Sequence, residues 1–115
     1  MLKVALVAFQ GEPMCFVHVL LNALDLQQRG VEATIIVEGQ ATALVATLAE
    51  PGHPFQALYE KTKKAGLIGG VCRACSHKMG SLEAAQLQGL KLLDEMQGHP
   101  ALGRYLQEGY TVWTF

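Results

Sequence analysis

Short, continuous apolar runs alternate with helix-length amphipathic stretches along this chain, and that alternation specifies an α/β sheet with helices packed against it. Residues 2–8 are apolar except for Lys3, the pattern of a strand buried on both faces in a parallel sheet. Gly11-Glu12-Pro13 follows, and proline at a first helical position has no amide hydrogen to leave unsatisfied, so a helix starts at Pro13. Phe16, Val17, Leu20, Leu21 and Leu24 form its apolar stripe, and Gly30 supplies a left-handed stop.

The pattern then repeats. Residues 33–37 are rich in β-branched side chains and read as a second buried strand. Ala41, Leu44, Val45 and Leu48 form a short helix ended by Pro51, and another begins near Pro54. Residues 67–71 are a third strand, whose Gly69 and Gly70 allow another chain segment to approach closely. A helix follows Cys72, Ser81 caps the next, residues 90–93 make a fourth strand, 100–107 a last helix and 110–115 a last strand. The expected fold is a single three-layer α/β/α domain over residues 1–115, with a mostly parallel, five-stranded, flavodoxin-like sheet.

Composition narrows the function. Nine basic and ten acidic residues give a net charge of −1, so no field attracts nucleic acid or an anionic membrane. The longest apolar runs are strand-length, too short to span a bilayer. Three cysteines, Cys15, Cys72 and Cys75, with no cleavage pattern behind the first apolar run, point to reduced thiols in the cytoplasm. No phosphate-binding glycine loop and no nucleophile elbow occurs, and no cofactor is indicated.

Ligands of open parallel sheets bind beyond the C-terminal strand ends. That rule selects Glu12 and Cys15 after the first strand, Glu38 after the second, Cys72 and Cys75 after the third, and Asp94 and Glu95 after the fourth. If the first and third strands are neighbours, all three cysteines share one rim. Cys72-Arg73-Ala74-Cys75 at a strand-to-helix junction suits thiol chemistry, because the thiolate is the reactive form and Arg73, His77 and Lys78 add positive charge. The alternatives are plainer: buried cysteines that simply pack, a Cys15 facing the core beside Phe16, and Glu12 and Glu38 as helix-start or loop charges. His18 falls on a solvated face with Asn22 and Asp25. His53 and His99, each in a Gly-His-Pro triplet six residues before a tyrosine, read as helix caps. A zinc site would use Cys15, Cys72 and Cys75 with His18, Glu12 or His77 as fourth ligand.

The Cys72 segment resembles the DsrE/DsrF-like family of small sulfur-relay proteins. The likeness spans the apolar first strand, the helix ending Asp25-Leu26-Gln27-Gln28-Arg29-Gly30, and a strand-end Cys72 eight residues before Gly80; the family's Arg-Gly at that helix end is Met79-Gly80 in this chain. The resemblance implies a strand-end persulfide on Cys72 and a homotrimer or homohexamer exchanging sulfur with donor and acceptor proteins or small thiols. In that reading Cys75 resolves or shares the persulfide, Arg73 stabilises the thiolate, and Glu12, Cys15 and Glu38 line the pocket. The alternative is a non-catalytic zinc- or small-ligand-binding oligomeric module using Cys15, Cys72 and Cys75. The sulfur-relay expectation requires the Cys72 thiol to be open to solvent and readily ionised.

Overall fold

The computed structural model describes residues 1–115. Five strands are joined by six helices: β1 (Lys3–Ala8), α1 (Pro13–Gln28), β2 (Glu32–Val37), a 3-10 turn (Gly39–Ala41), α2 (Thr42–Thr47), α3 (Gln56–Lys64), β3 (Ile68–Cys72), α4 (Arg73–Lys78), α5 (Leu82–Leu87), β4 (Leu92–Leu93), α6 (Leu102–Gln107) and β5 (Thr111–Thr114). The expected succession of elements and the flavodoxin-like three-layer architecture are what the chain forms. Every strand pair is parallel.

The strand order is β4-β3-β2-β1-β5. β1 to β4 therefore march in one direction, and right-handed crossovers place the helices between them on one face. The connection from β4 to β5 runs back across the sheet and leaves α6 on the other face. Packing follows this asymmetry. Val4, Leu6, Ile35, Val37 and Val71 bury against Phe16, Leu20, Leu44 and Tyr59 on the crowded face, while Ala5, Val7, Ile36 and Leu93 bury against Tyr105 of α6.

Two irregularities shape the strand ends. Ile35 pairs with Ile68 but Ile36 pairs with Gly70, so Gly69 is an extra residue in β3. The bulge is confined to glycine because a Cβ on Gly69 would collide with the Thr34 hydroxyl. Second, the fourth strand is shorter than residues 90–93: only Leu92 and Leu93 pair, with Val71 and Cys72. The chain turns away at once, and the segment between β4 and α6 folds over the strand ends.

The C-terminal apolar residues are mostly used internally. Val112 packs beside Tyr105, Phe115 packs on the main core, and Tyr110 stacks edge-on against Tyr105 while its hydroxyl donates to Glu32 at 2.6 Å. Trp113 remains 40% exposed.

Candidate functional site

Alternation along a strand assigns each residue to a face. Ile36 and Leu93 face α6, so Glu38, two residues after Ile36, and Cys72, paired with Leu93, belong to that same face. The bulge at Gly69 completes the arrangement. Because Val37 pairs with Val71, the next step along each strand sets Glu38 beside Cys72. Without the extra residue, Glu38 would fall beside Val71.

A third group comes from the segment after β4. Met96 and His99 form an antiparallel bridge, with Met96 N donating to His99 O at 2.8 Å and His99 N to Met96 O at 3.0 Å. The two residues between them, Gln97 (φ 50°) and Gly98 (φ 90°), are both left-handed, as in the tight turns of β-hairpins. Ala74 N donates to Gly98 O at 2.9 Å, clipping the turn to the first turn of α4. His99 is thereby delivered to the thiols. Its Nδ1 lies 3.1 Å from Cys72 Sγ and 3.7 Å from Cys75 Sγ, while Cys75 N donates to Cys72 Sγ at 3.4 Å.

The two sulfurs differ in access. Cys72 is fully buried, and Cys75 is half-buried in the wall of a cleft of about 300 Å³ that is also lined by Gly39, Gln40, Lys78 and Met79. The expectation of an open, easily ionised Cys72 is therefore corrected. Burial pushes its thiol up to about 12; the Cys75 amide opposes that rise, and the Cys75 thiol and the Glu38 carboxylate add to it. Glu38 itself is only 7% exposed and forms neither a side-chain hydrogen bond nor an ion pair. Burial raises its carboxyl above the usual range, and nearby His99 opposes the rise.

The buried thiol makes stability depend on pH. Below pH 9.0, the ordinary value for the thiol, Cys72 is protonated in both the folded and unfolded chain. Between 9.0 and about 12 the unfolded chain loses that proton and the folded chain keeps it, so unfolding is favoured as pH rises. The denaturation midpoint, followed in a chelator, should fall across that window. The fall should be shallower in Cys72→Ala; equal slopes in the two proteins would rule out this thiol as the cause.

The other expected site residues are distributed as follows. Glu12 caps α1, accepting from Met14 N at 3.4 Å, and is a helix-start charge. Arg73 is exposed and pairs with Asp94 at 3.4 Å. Glu95 is held by Arg104 at 2.6 Å. β2 lies between β1 and β3, so Cys15 does not join the other cysteines; it lines a second cleft with His18, Asn22 and Phe115 beside β5. The expected zinc set is corrected accordingly, because the group that brings Cys72 and Cys75 together with a third ligand atom uses His99. His53 keeps the expected helix-start role, its Nδ1 accepting from Phe55 N at 3.0 Å, but His99 is not a cap. Ser81 precedes α5 as expected, yet its hydroxyl donates back to Ser76 O instead of capping the helix.

No family model matches the chain. It is 34% identical over 96 residues, 83% of its own length and 75% of the relative's, to the uncharacterized protein MJ0733 of Methanocaldococcus jannaschii. It is 40% identical over 48 residues, 42% of its length and 79% of the relative's, to an uncharacterized protein of Archaeoglobus fulgidus. Its fold is similar to that of a conserved protein of unknown function, BT1422, from Bacteroides thetaiotaomicron, with a TM-score of 0.72 at 20% identity over 98% of this chain and 94% of that one.

Proposed function

For a chain that belongs to the same family as MJ0733 of Methanocaldococcus jannaschii, we propose a sulfur carrier in which Cys75 receives sulfane sulfur and Cys72 stands behind it as the second thiol. The observation that carries this reading is the position of Cys75: it lines an open cleft, with Cys72 Sγ and His99 Nδ1 directly at its back. The resemblance of the Cys72 segment to the DsrE/DsrF-like proteins supports the same class of chemistry. The order of the two cysteines is reversed relative to that resemblance, because a sealed, protonated thiol is a poor first nucleophile.

The steps need nothing beyond thiols and a persulfide. His99 Nδ1, 3.7 Å from Cys75 Sγ, accepts the Cys75 proton. The Cys75 thiolate attacks the outer sulfur of a small persulfide, forming Cys75–S–SH and releasing the donor as a thiolate. An acceptor thiolate attacks that outer sulfur in turn, gives a new persulfide and restores the Cys75 thiolate. Alternatively, Cys72 attacks the inner sulfur, a Cys72–Cys75 disulfide forms, and the outer sulfur leaves as hydrogen sulfide. Lys78 on the cleft wall attracts anionic donors. In this reading the chain works as a homo-oligomer in the cytoplasm; no helix is long and apolar enough to cross a membrane.

The test is intact-mass analysis of reduced, chelator-treated protein after exposure to a small-molecule persulfide. Wild type should gain sulfur. Cys72→Ser should still gain it but form no internal disulfide, and Cys75→Ser should gain none. Equal loading of Cys75→Ser and wild type would overturn the assignment.

A further inference from the structure

The same cluster has a geometry that sulfur transfer does not require. Its three ligand atoms come from three separate places: a strand end, the first turn of a helix, and a loop that reaches back over the sheet. All lie within 4.8 Å of one another. A tetrahedral zinc ion with bonds of about 2.3 Å to sulfur and about 2.0–2.1 Å to nitrogen sets S···N edges of roughly 3.6 Å and S···S edges of roughly 3.8 Å. The observed S···N separations of 3.1 and 3.7 Å lie on either side of the first value, and the two sulfurs lie within 4.8 Å of each other.

A second, independent observation points the same way. Glu38 is 7% exposed, has no hydrogen-bond or ion-pair partner, and lies on the same face one strand over from Cys72. No buried side-chain oxygen of the protein lacks a hydrogen-bond partner, so the Glu38 oxygens keep access to water, and a positive charge beside this low-exposure carboxylate is favoured without being required. Arg73 is engaged by Asp94, and Lys78 is exposed on the cleft wall. A dication among the two sulfurs and the imidazole would be attracted by that carboxylate. Glu38 stands outside the triangle of ligand atoms, so its part would be to hold charge beside the site.

We propose that Cys72, Cys75 and His99 bind a thiophilic divalent cation of the zinc class as a three-ligand site, with the fourth coordination position turned toward the Cys75 cleft and Glu38 as a nearby counter-charge. Two thiolates and an imidazole select such an ion over magnesium or calcium, which favour oxygen donors. Three protein ligands with one open position is the arrangement that lets zinc take a water or an incoming ligand. This inference goes beyond the sulfur-carrier reading and does not depend on it. Where both hold, the bound ion occupies both sulfurs and keeps them from exchange until it is removed.

The experiment titrates reduced, chelator-stripped full-length protein with cobalt(II), followed by zinc. One equivalent of cobalt should produce sulfur-to-cobalt charge-transfer absorption together with intense tetrahedral d–d bands, both abolished by zinc and unaffected by magnesium. His99→Ala should weaken binding by about tenfold or more, His99→Cys should retain it, and Glu38→Gln should weaken it by about tenfold. Cys15→Ser should bind as wild type does. The proposal is overturned if no sulfur-to-cobalt band develops, if His99→Ala binds as tightly as wild type, or if Cys15→Ser abolishes binding. Retention by His99→Cys separates loss of a ligand from loss of the fold. Persulfide loading is measured in chelator, so the metal site and the sulfur-carrier reading can each fail alone.

Discussion

Replacing Gly98 with valine should detach His99 from the two thiols and open Cys72 to solvent. Gly98 has φ 90°, a conformation that a β-branched residue adopts only under strain. A Cβ there would also stand 3.0 Å from Ala74 Cβ, before the two valine methyls are counted. Neither neighbour can yield easily: Ala74 sits in the first turn of α4 and donates to Gly98 O at 2.9 Å. The strain and the contact together should cost about 2–4 kcal/mol, more than the hydrogen bond that clips the turn to α4 contributes. The turn should lift, because lifting it relieves both. Cys72 would then lose its contacts with Gly98 O at 3.6 Å and His99 Nδ1 at 3.1 Å, and with them the cover that keeps it protonated. Alkylation kinetics resolved by peptide mass should show Cys72 changing from the slow thiol to one comparable with Cys75. Gly98→Asn should fall between the two, since asparagine tolerates positive φ but still carries the Cβ. If valine leaves Cys72 as slow as in wild type, the turn is not what seals the site.

The fold is readable because burial writes itself into periodicity. Residues 2–8 can only be a two-sided buried strand, and Pro13 marks the first residue of α1. Strand order is not readable in the same way, since nothing in β1 or β3 states that β2 lies between them. That gap misplaces Cys15. The site is half legible. Cys72 and Cys75 announce themselves by spacing, and Glu38 by its place after a strand. His99 escapes a reading of the sequence because Gly52-His53-Pro54 and Gly98-His99-Pro100 look alike, whereas the preceding residues differ in effect. Only the second triplet is preceded by a left-handed Gln97, which turns the imidazole onto the sulfurs. The strand-end rule reaches the correct loop but stops at Asp94 and Glu95, which are tied up in ion pairs. Burial of Cys72 is invisible for a related reason: the loop that covers it follows β4, a strand only two residues long.

That short strand makes the site sensitive to a residue that touches neither sulfur. A Cβ on Gly70 would lie 2.6 Å from Leu93 Cγ, 2.8 Å from Cδ1 and 2.9 Å from Cδ2. Leu93 is 3% exposed and packs beside Ile36 and Tyr105, so the leucine has little free space to enter. Gly70→Val should therefore cost about 1–3 kcal/mol by overpacking. The push is directed along β4, which is held to β3 only through Val71–Leu92 and Cys72–Leu93. His99 follows six residues later, so displacement of β4 should also disturb the histidine and lower both metal affinity and persulfide loading. Shortening the opposing side chain tests whether the two residues compete for one space. Leu93→Ala alone should destabilise by about 2–5 kcal/mol through the cavity it leaves. Combined with Gly70→Val, the valine occupies that cavity, and the double variant should be more stable than the sum of the single effects by about 1–3 kcal/mol. Denaturant midpoints of the four proteins measure the coupling directly. Strict additivity would mean that no such competition exists, and that the glycine is there for some reason other than to let Leu93 lie against β3.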